Sequence, residues 1–528
     1  LNTYQAGGNP FETLTSPVEF AGYISAKETL PEQLGALRDD LEKVLEELNL
    51  EAGGKLQSRF KDPDANGGVL ARELNEKYGF SPQIASLFDP NPFWFYMVLE
   101  GDGEVVQVPL PDELDRDALK HSLEAAIQRL APGFLKTVAL VKPQAMGPDA
   151  KRYTVLADTL SENTRLKETD LKDGRVPADA DLLLVLGPET LDEKQLFAID
   201  QFLMQGGSVV LAASGFDAGV GTTLTATRHA SGLEDWLTHH GLDIGDSMVL
   251  DPQSGALPVP VQRNIGGIAI REIRMLPYPH FPDIRGEGLN ADNPITAALG
   301  QVTLNWVSPI TVDESKYKER RLTPLRSSSP QCWVSSVLNI GPDSRAWPGT
   351  GFDPSGVRGS RLLAVAVEGR FDSFFKDMDS PLAKPSEETA SADQTTTEDN
   401  AETAEEVASE KPGPITSVIE RSPESARIML IASNTFADDA MLSLASDSLG
   451  TLYTRPVEFL QNAVDWSLED RGLLTIRSRA QFARTLAPME RSDQLFWEYL
   501  NYGLALLGLV AVWFWRRWVR PVSYTHLT

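Results

Sequence analysis

Few residues in this sequence combine a reactive type with a usable spacing. His239-His240 lies close to Asp235, Asp243 and Asp246. Asp235 and His239 are four apart, so on a helix they would share one face, as two metal ligands require. A solvated helix end, with histidine near the C-terminal dipole before Gly241, accounts for the same residues more simply. Ser214 follows a short apolar run, Ser208–Ala213, where a strand-to-turn nucleophile would stand. The position two before it is Ala212, where a nucleophile elbow needs glycine. A general base would have to come from His229, His239, His240 or His280, and nothing in the sequence singles one out. The lone cysteine, Cys332, sits in Pro330-Gln-Cys-Trp333 and reads as a packed small hydrophobe. Asp438-Asp439 after Asn434 could meet a cation, but a helix N-cap explains the pair better.

Recognised motifs are absent from the sequence. There is no Gly-x-x-x-x-Gly-Lys-Ser/Thr for ATP and no His-Glu-x-x-His for zinc. The glycines of Gly215–Gly221 lack Gly-x-Gly-x-x-Gly spacing. A single cysteine excludes a disulfide framework and a multi-cysteine zinc site. No catalytic, cofactor-binding or metal-binding residue is therefore assigned, and the chain is expected not to be an enzyme.

The elements that would position these residues form an α/β pattern. In the first part, Val18–Ile24 alternates as a strand. Leu30-Pro31 opens a helix with Leu34, Leu37, Leu41, Val44, Leu45 and Leu48 at helical spacing. Leu56–Phe60 reads as a strand ended by Asp62-Pro63, and Val69–Tyr78 as a helix stopped by Gly79. Phe93–Leu99 and Glu104–Val108 read as a hairpin about Gly101–Gly103, and Asp115–Leu130 as a helix. This order predicts a thioredoxin-like α/β domain over residues 1–135.

Thr137–Val141, a short apolar strand, opens a second region, and Tyr153–Asp158 follows it. Ala180–Leu186 is a continuous apolar run of the kind buried on both faces of a parallel sheet. Leu191-Asp-Glu starts a helix that runs to Met204 and stops at Gly206-Gly207, and Ser208–Ala213 is the next strand, completing a βαβ unit. Leu233–His240 reads as a helix, Met248–Leu250 and Arg361–Val367 as strands, and the proline-rich Pro277–Pro282 as a loop. Arg427–Ala432 is again a buried strand, and Pro456–Leu468 a helix with proline at its first position. A flavodoxin- or class I glutaminase-like domain is expected over 136–376 plus 412–475.

The 528 residues carry 48 basic and 75 acidic side chains, a net charge of −27. Nucleic acid is an unlikely partner for such a surface. The charge is uneven. Asp377–Lys411 holds eleven Asp or Glu and two Lys, hence −9, with no aromatic residue. A segment this polar cannot bury enough apolar surface to offset its ordering entropy. It is expected to be a disordered linker, 377–411, inserted within the second domain. The rest of the chain carries −18 (−27 + 9).

Residues 476–494 read as a juxtamembrane segment. Leu495–Trp515 is 21 residues long with only Glu498 and Asn501 strongly polar, enough to span a bilayer as a helix. Trp497 and Tyr499 flank one end, and Trp513, Trp515 and Trp518 the other. Arg516, Arg517 and Arg520 make 516–521 a basic flank that the positive-inside rule places in the cytoplasm. The bulk of the chain is then extracytoplasmic. The chain starts at Leu1 with no signal peptide, and a truncated start is expected. Val522–Thr528 reads as translated sequencing adapter, leaving the natural C-terminus missing.

Several of these segments together resemble the GldG-like accessory proteins of ABC-type export and gliding-motility systems. The helix from Leu30-Pro31 and the Lys61-Asp62-Pro63 turn resemble that family's N-terminal domain. Pro177-Ala-Asp-Ala-Asp-Leu-Leu-Leu-Val-Leu-Gly-Pro188 with Asp200-Gln-Phe-Leu-Met-Gln-Gly-Gly207 resembles its central signature. Tyr278-Pro-His-Phe-Pro282, Asn293-Pro-Ile-Thr296, Leu363–Gly369 with Ser373-Phe-Phe375, and Asn462-Ala-Val-Asp-Trp466 are also similar, and the apolar helix closes the pattern. The acidic insertion is a departure. The resemblance implies a periplasmic module on the bacterial cytoplasmic (inner) membrane, working with separate ABC ATPase and permease subunits on a cargo the sequence does not name. It brings no catalytic residue and no cofactor.

Overall fold

The computed structural model describes residues 11, 17–86, 89–101, 104–111, 113–130, 135–144, 150–220, 224–265, 268–378, 380–383, 418–468 and 491–518. The tip of the Gly101–Gly103 turn, most of the acidic linker (384–411), residues 476–490 and the tail from 519 lie outside these. By compactness the chain divides into Leu1–Ile476 and Arg477–Thr528.

The first unit begins with β1 (Val18–Ile24), α1 (Glu32–Glu51), β2 (Leu56–Lys61), α2 (Ala65–Tyr78), β3 (Gln83–Ser86), β4 (Asp89–Phe93), β5 (Phe95–Gly101), β6 (Glu104–Val108) and α3 (Arg116–Leu130). One sheet has the order β2-β1-β5-β6, with β1 parallel to β2 and the other pairs antiparallel. The six apolar positions read on α1 are all buried, packed with α3 against one face of this sheet. Each such side chain contributes roughly 1.5–3 kcal/mol by leaving water. On the other face Tyr23, Tyr78, Phe80, Trp94 and Tyr96 form an aromatic cluster in which Phe80 and Tyr96 stack at 4.1 Å. The β3–β4 hairpin was not expected. Pro82, Pro90 and Pro92 in and beside it mask the strand pattern.

Next come β7 (Thr137–Val141), α4 (Thr154–Ser161), β8 (Arg165–Glu168), β9 (Leu182–Leu186), α5 (Glu193–Met204), β10 (Ser208–Ala212), β11 (Phe216–Asp217), β12 (Thr227–Arg228), α6 (Glu234–His239), β13 (Leu242–Ile244), β14 (Met248–Leu250), β15 (Ser254–Ile265), β16 (Ile268–Arg285), β17 (Gln301–Thr303), β18 (Ile310–Val312), β19 (Arg320–Ser327), β20 (Trp333–Ser335), β21 (Leu362–Gly369), β22 (Arg427–Ile431), α7 (Asp439–Leu449) and α8 (Arg455–Ser467). Nine strands form the main sheet, β13-β18-β21-β22-β10-β9-β7-β8, with β19 also on β21. The run β8-β7-β9-β10-β22 is parallel and the remainder antiparallel. Every residue of β7, β9, β10 and β22 is buried, which is why these strands read as unbroken apolar runs. Asp192 and Gln195 start α5 with a reciprocal capping box, and Gly206 at φ +91° ends it. The strands either side of the acidic insertion are direct neighbours, Val365 lying opposite Leu430.

Two readings need correction. Pro277–Pro282 is not a loop but part of β16. Proline lacks the N–H of a ladder donor, but here the carbonyls do the pairing. Pro279, His280 and Pro282 accept from the amides of Asp251, Trp306 and Leu304. The acidic insertion also starts in ordered structure. Pro381–Ala383 forms a 3-10 turn, and Leu382 packs on the main core close against Gly174.

In the second unit, α9 (Arg491–Trp518) contains Leu495–Arg516, long and apolar enough to cross a membrane and with none of it buried inside the chain.

Candidate functional site

The family-like signature residues converge on α5. Asp200 lies on its buried face between Ile199 and Phe202, with none of its surface exposed. Its carboxylate accepts from Trp236 Nε1 (3.0 Å), Ser373 Oγ (2.6 Å), the Phe374 amide (3.0 Å) and Gln201 Nε2 (3.1 Å). Burial raises its pKa, and these donors hold the rise back. His240 Nε2 is 4.0 Å away, at the limit for an ion pair. Burial, then His239, Arg320 and Lys316, pull the His240 pKa well below its ordinary value. The imidazole is therefore neutral and the contact is not a charge pair.

This network ties three segments together. Gln201 accepts from the Ile419 amide through Oε1 (2.7 Å) and donates to the Ile419 carbonyl through Nε2 (3.3 Å). The Ser373 amide donates to Glu420 O, and Ser422 and Phe371 exchange hydrogen bonds. Asp372 pairs with Arg421 at 3.0 Å. The two flanks of the acidic insertion are thus zipped to each other and pinned to α5. The clamp also receives the C-terminal end of α2. Gly79, at φ +69°, accepts from the Glu420 amide, and a Cβ there would lie 2.2 Å from the Arg421 carbonyl oxygen. Only glycine fits.

Beside the clamp a cleft of about 1330 Å3 separates α5 from the first sheet. Phe197, Gln201 and Phe202 line one wall, and Phe80, Tyr96 and Gln107 another. Small-molecule sites run to roughly 1,000 Å3 at most. The size and the mixed lining suit a segment of polypeptide better than a compact cofactor. Arg129 of α3 donates through Nη2 to the Ala180 carbonyl (2.7 Å) and to Ala178, holding the Pro177–Ala180 part of the signature at the cleft's edge.

The residues first considered for chemistry are not brought together. Ser214 is buried, and its Oγ accepts from the Phe216 amide at 3.2 Å. Cys332 Sγ donates to Gly359 O (2.7 Å) and accepts from Ser328 Oγ, and burial raises its pKa. His229 contacts Pro188 O, His239 contacts Asp372 O, and His280 is buried among Tyr278 and Phe352 with its pKa lowered to about 3. Among the described residues no hydrogen bond joins a histidine to Ser214 or Cys332. Among them, too, no group of three His, Cys, Asp or Glu could hold a metal. Asp243 accepts instead from Thr311, and no metal site joins it to Asp235, Asp246 or His239.

Asn434 donates to Phe216 O, and its own carbonyl accepts from Tyr153. Asp438 stands at the N-cap position of α7, yet its carboxylate accepts from the Arg152 amide (2.7 Å). Asp439 accepts from the Thr154 and Val155 amides (3.0 Å each). Asp439 thus caps the neighbouring α4, while Asp438 holds the N-cap position of its own helix and ties it to Arg152. The roles of Asp200 and Ser373 were not read from the sequence. The signal was available: an Asp set in the apolar run Leu196–Met204 must be buried and needs several donors.

The sequence profile of the family described as ABC-type uncharacterized transport system matches residues 135–463, more than half of the chain. An uncharacterized protein of Borreliella burgdorferi is 22% identical over 294 residues, 54% of this chain and 55% of its own. The chain thus spans about half the length of that curated relative. Among solved structures, the mmIFT52 N-terminal domain overlaps 63% of this chain and 97% of its own, at 10% identity and a TM-score of 0.31. A thua-like protein from Bacteroides uniformis overlaps 63% and 91%, at 10% identity and a TM-score of 0.28. The profile match covers the main sheet and the whole clamp around Asp200, and on it the chain belongs to the auxiliary family of ABC-type transport systems.

Proposed function

We propose that the chain is a membrane-anchored, non-catalytic subunit of a GldG-like ABC export system, working outside the cytoplasm with separate ATPase and permease subunits. The observation that carries this reading is the pairing of the auxiliary-family match with a wholly uncovered apolar helix, Leu495–Arg516. About 20 apolar residues in water would be costly, so lipid or another membrane segment must cover them. The arginine flank that starts at Arg516 supports a cytoplasmic C-terminal side, with the bulk of the chain on the other side.

Residues 1–135 then act as a thioredoxin-like module, a reading supported by the β2-β1-β5-β6 order with one parallel pair. Residues 136–376 with 412–475 act as a flavodoxin- or glutaminase-like module, supported by the parallel run β8-β7-β9-β10-β22. The cleft between α5 and the first sheet is the surface best suited to hold a segment of cargo or permease. The alternative, a membrane-anchored hydrolase or amidotransferase built on Ser214 or Cys332, has no observation in its favour among the described residues, since their hydrogen bonds run to backbone and to Ser328. A photoreactive side chain in place of the exposed Leu506 tests the assignment in the native host. Light should capture a polytopic permease; crosslinks to lipid alone would contradict the proposal.

A further inference from the structure

The longest ladder in the chain belongs to a two-stranded ribbon. β15 and β16 pair from Ser254–Pro282 to Ile265–Ile268. At its base Leu257 is buried and Val259 packs against the same cluster. Past Val259–Arg274, six further residue pairs continue with no third strand beside them among the described residues. At about 3.4 Å per residue they extend for on the order of 20 Å.

A ribbon with both edges free is marginal in water, yet this one exposes apolar side chains. Ile273 is 72% exposed and Met275 38%, and they share a face with Pro258. The distal sequence, Val259–Met275, also holds Ile265, Ile268 and Ile270, which the register sets on the opposite face of the ribbon. It carries Arg263, Arg271 and Arg274 against Glu272, a local +2 in a chain of −27. Apolar residues beside arginines, with almost no acid, are what an anionic lipid surface selects. A protein interface fits less well. The ribbon is about 10 Å wide, so one distal face offers about 200 Å2, against about 800 Å2 per partner in a stable complex.

We propose that the distal β15–β16 ribbon is a second membrane contact, docking on the surface of an anionic bilayer. The proposal rests on the membrane-anchored reading of α9, and its test separates the two.

The full chain, with the buried Cys332 replaced by alanine, is labelled with an environment-sensitive fluorophore at Ile273→Cys. It is reconstituted into vesicles of phosphatidylglycerol and phosphatidylcholine, or of phosphatidylcholine alone, with brominated lipids as quenchers. Retention of the chain after an alkaline wash checks α9 independently. In retained protein the Ile273 probe should shift to the blue and be quenched in the anionic vesicles. A probe at Val357→Cys, 79% exposed in the same unit, should not. R271Q combined with R274Q should weaken the quenched population about 30-fold, roughly fivefold per arginine. High salt, which shortens the screening length, should weaken it too. Retained protein whose Ile273 probe stays unquenched would overturn the proposal. So would quenching that is equal on neutral vesicles, or that appears only when a partner protein is added. Loss of the chain in the wash would instead refute the anchor.

Discussion

Removing the Asp200 carboxylate should open the clamp between the insertion flanks and α5. In Asp200→Ala, Ser373 Oγ can rotate and Gln201 keeps its Ile419 partners. Trp236 Nε1 and the Phe374 amide have no such alternative. Two stranded buried donors at roughly 1–3 kcal/mol each, less the relief of no longer burying a carboxylate, give about 3 kcal/mol. Asp200→Asn keeps the Oδ1 that accepts from both, and misplaces only the contacts to Ser373 and Gln201. About 1 kcal/mol is expected. Hydrogen exchange reads the clamp directly through the amides of Ile419, Ser373 and Ser422, which bond across it. A loss of about 3 kcal/mol should speed their exchange by about two orders of magnitude, with about fivefold for the asparagine variant. Exchange unchanged in Asp200→Ala, or equal in the two variants, would refute the clamp.

Four further outcomes follow from the geometry. Burial depresses the pKa of His280 to about 3 and that of His240 well below its ordinary value, so the folded state binds fewer protons. Their contribution is present above the unfolded value of about 6.5 and is lost as pH falls, His280 alone accounting for about 2.7 kcal/mol by pH 4.5. His280→Met should remove the His280 part of that slope in denaturant titrations, and an unchanged slope would contradict the burial argument. Gly79→Ala, with its Cβ against the Arg421 carbonyl, should destabilise by more than about 2 kcal/mol, whereas Gly53→Ala, also at positive φ but in open space, should cost about 1 kcal/mol; equal melting shifts would count against the close approach. Arg326 is fully buried with its guanidinium 3.7 Å over Phe459, no hydrogen bond recorded among the described residues, and a pKa lowered by burial to about 9. Arg326→Met should be neutral or stabilise by about 1–3 kcal/mol, and a clear loss would show a partner for the charge. Asp439→Ala should cost about 1 kcal/mol and loosen the α4 amides, not those of α7, in hydrogen exchange.

The regular elements were legible wherever local pattern and tertiary demand agree. The α1 stripe, the runs Leu182–Leu186 and Arg427–Ile431, and the stops at Gly79 and Gly206 were all read within a few residues. Where they disagree, the sequence misled. Proline hid β3, β4 and the end of β16, since a strand needs its donors only on the side where it is paired. Arg320–Ser327, mostly polar, is a strand because it pairs β21 and not because of its own pattern. The candidate chemistry pointed at Ser214, Cys332 and the His239 cluster through residue type alone. Distance dissolved these groupings. Asp200 and Ser373 lie 173 positions apart and only the fold makes them partners. Residue type marks the Asp438-Asp439 pair as a cap and Asp438 does stand at the N-cap of α7, but long-range contact gives Asp439 to α4.

The place proposed for this chain, at a membrane beside an ABC ATPase and a permease, is open to direct test. Affinity purification of the tagged full chain from native host membranes in mild detergent tests it most directly. An ABC ATPase and a polytopic permease should co-purify in constant proportion, and both should be lost when Leu506 and Leu509 are replaced by arginine, each costing roughly 2.5–3.5 kcal/mol of insertion. A monodisperse chain recovered alone would contradict it.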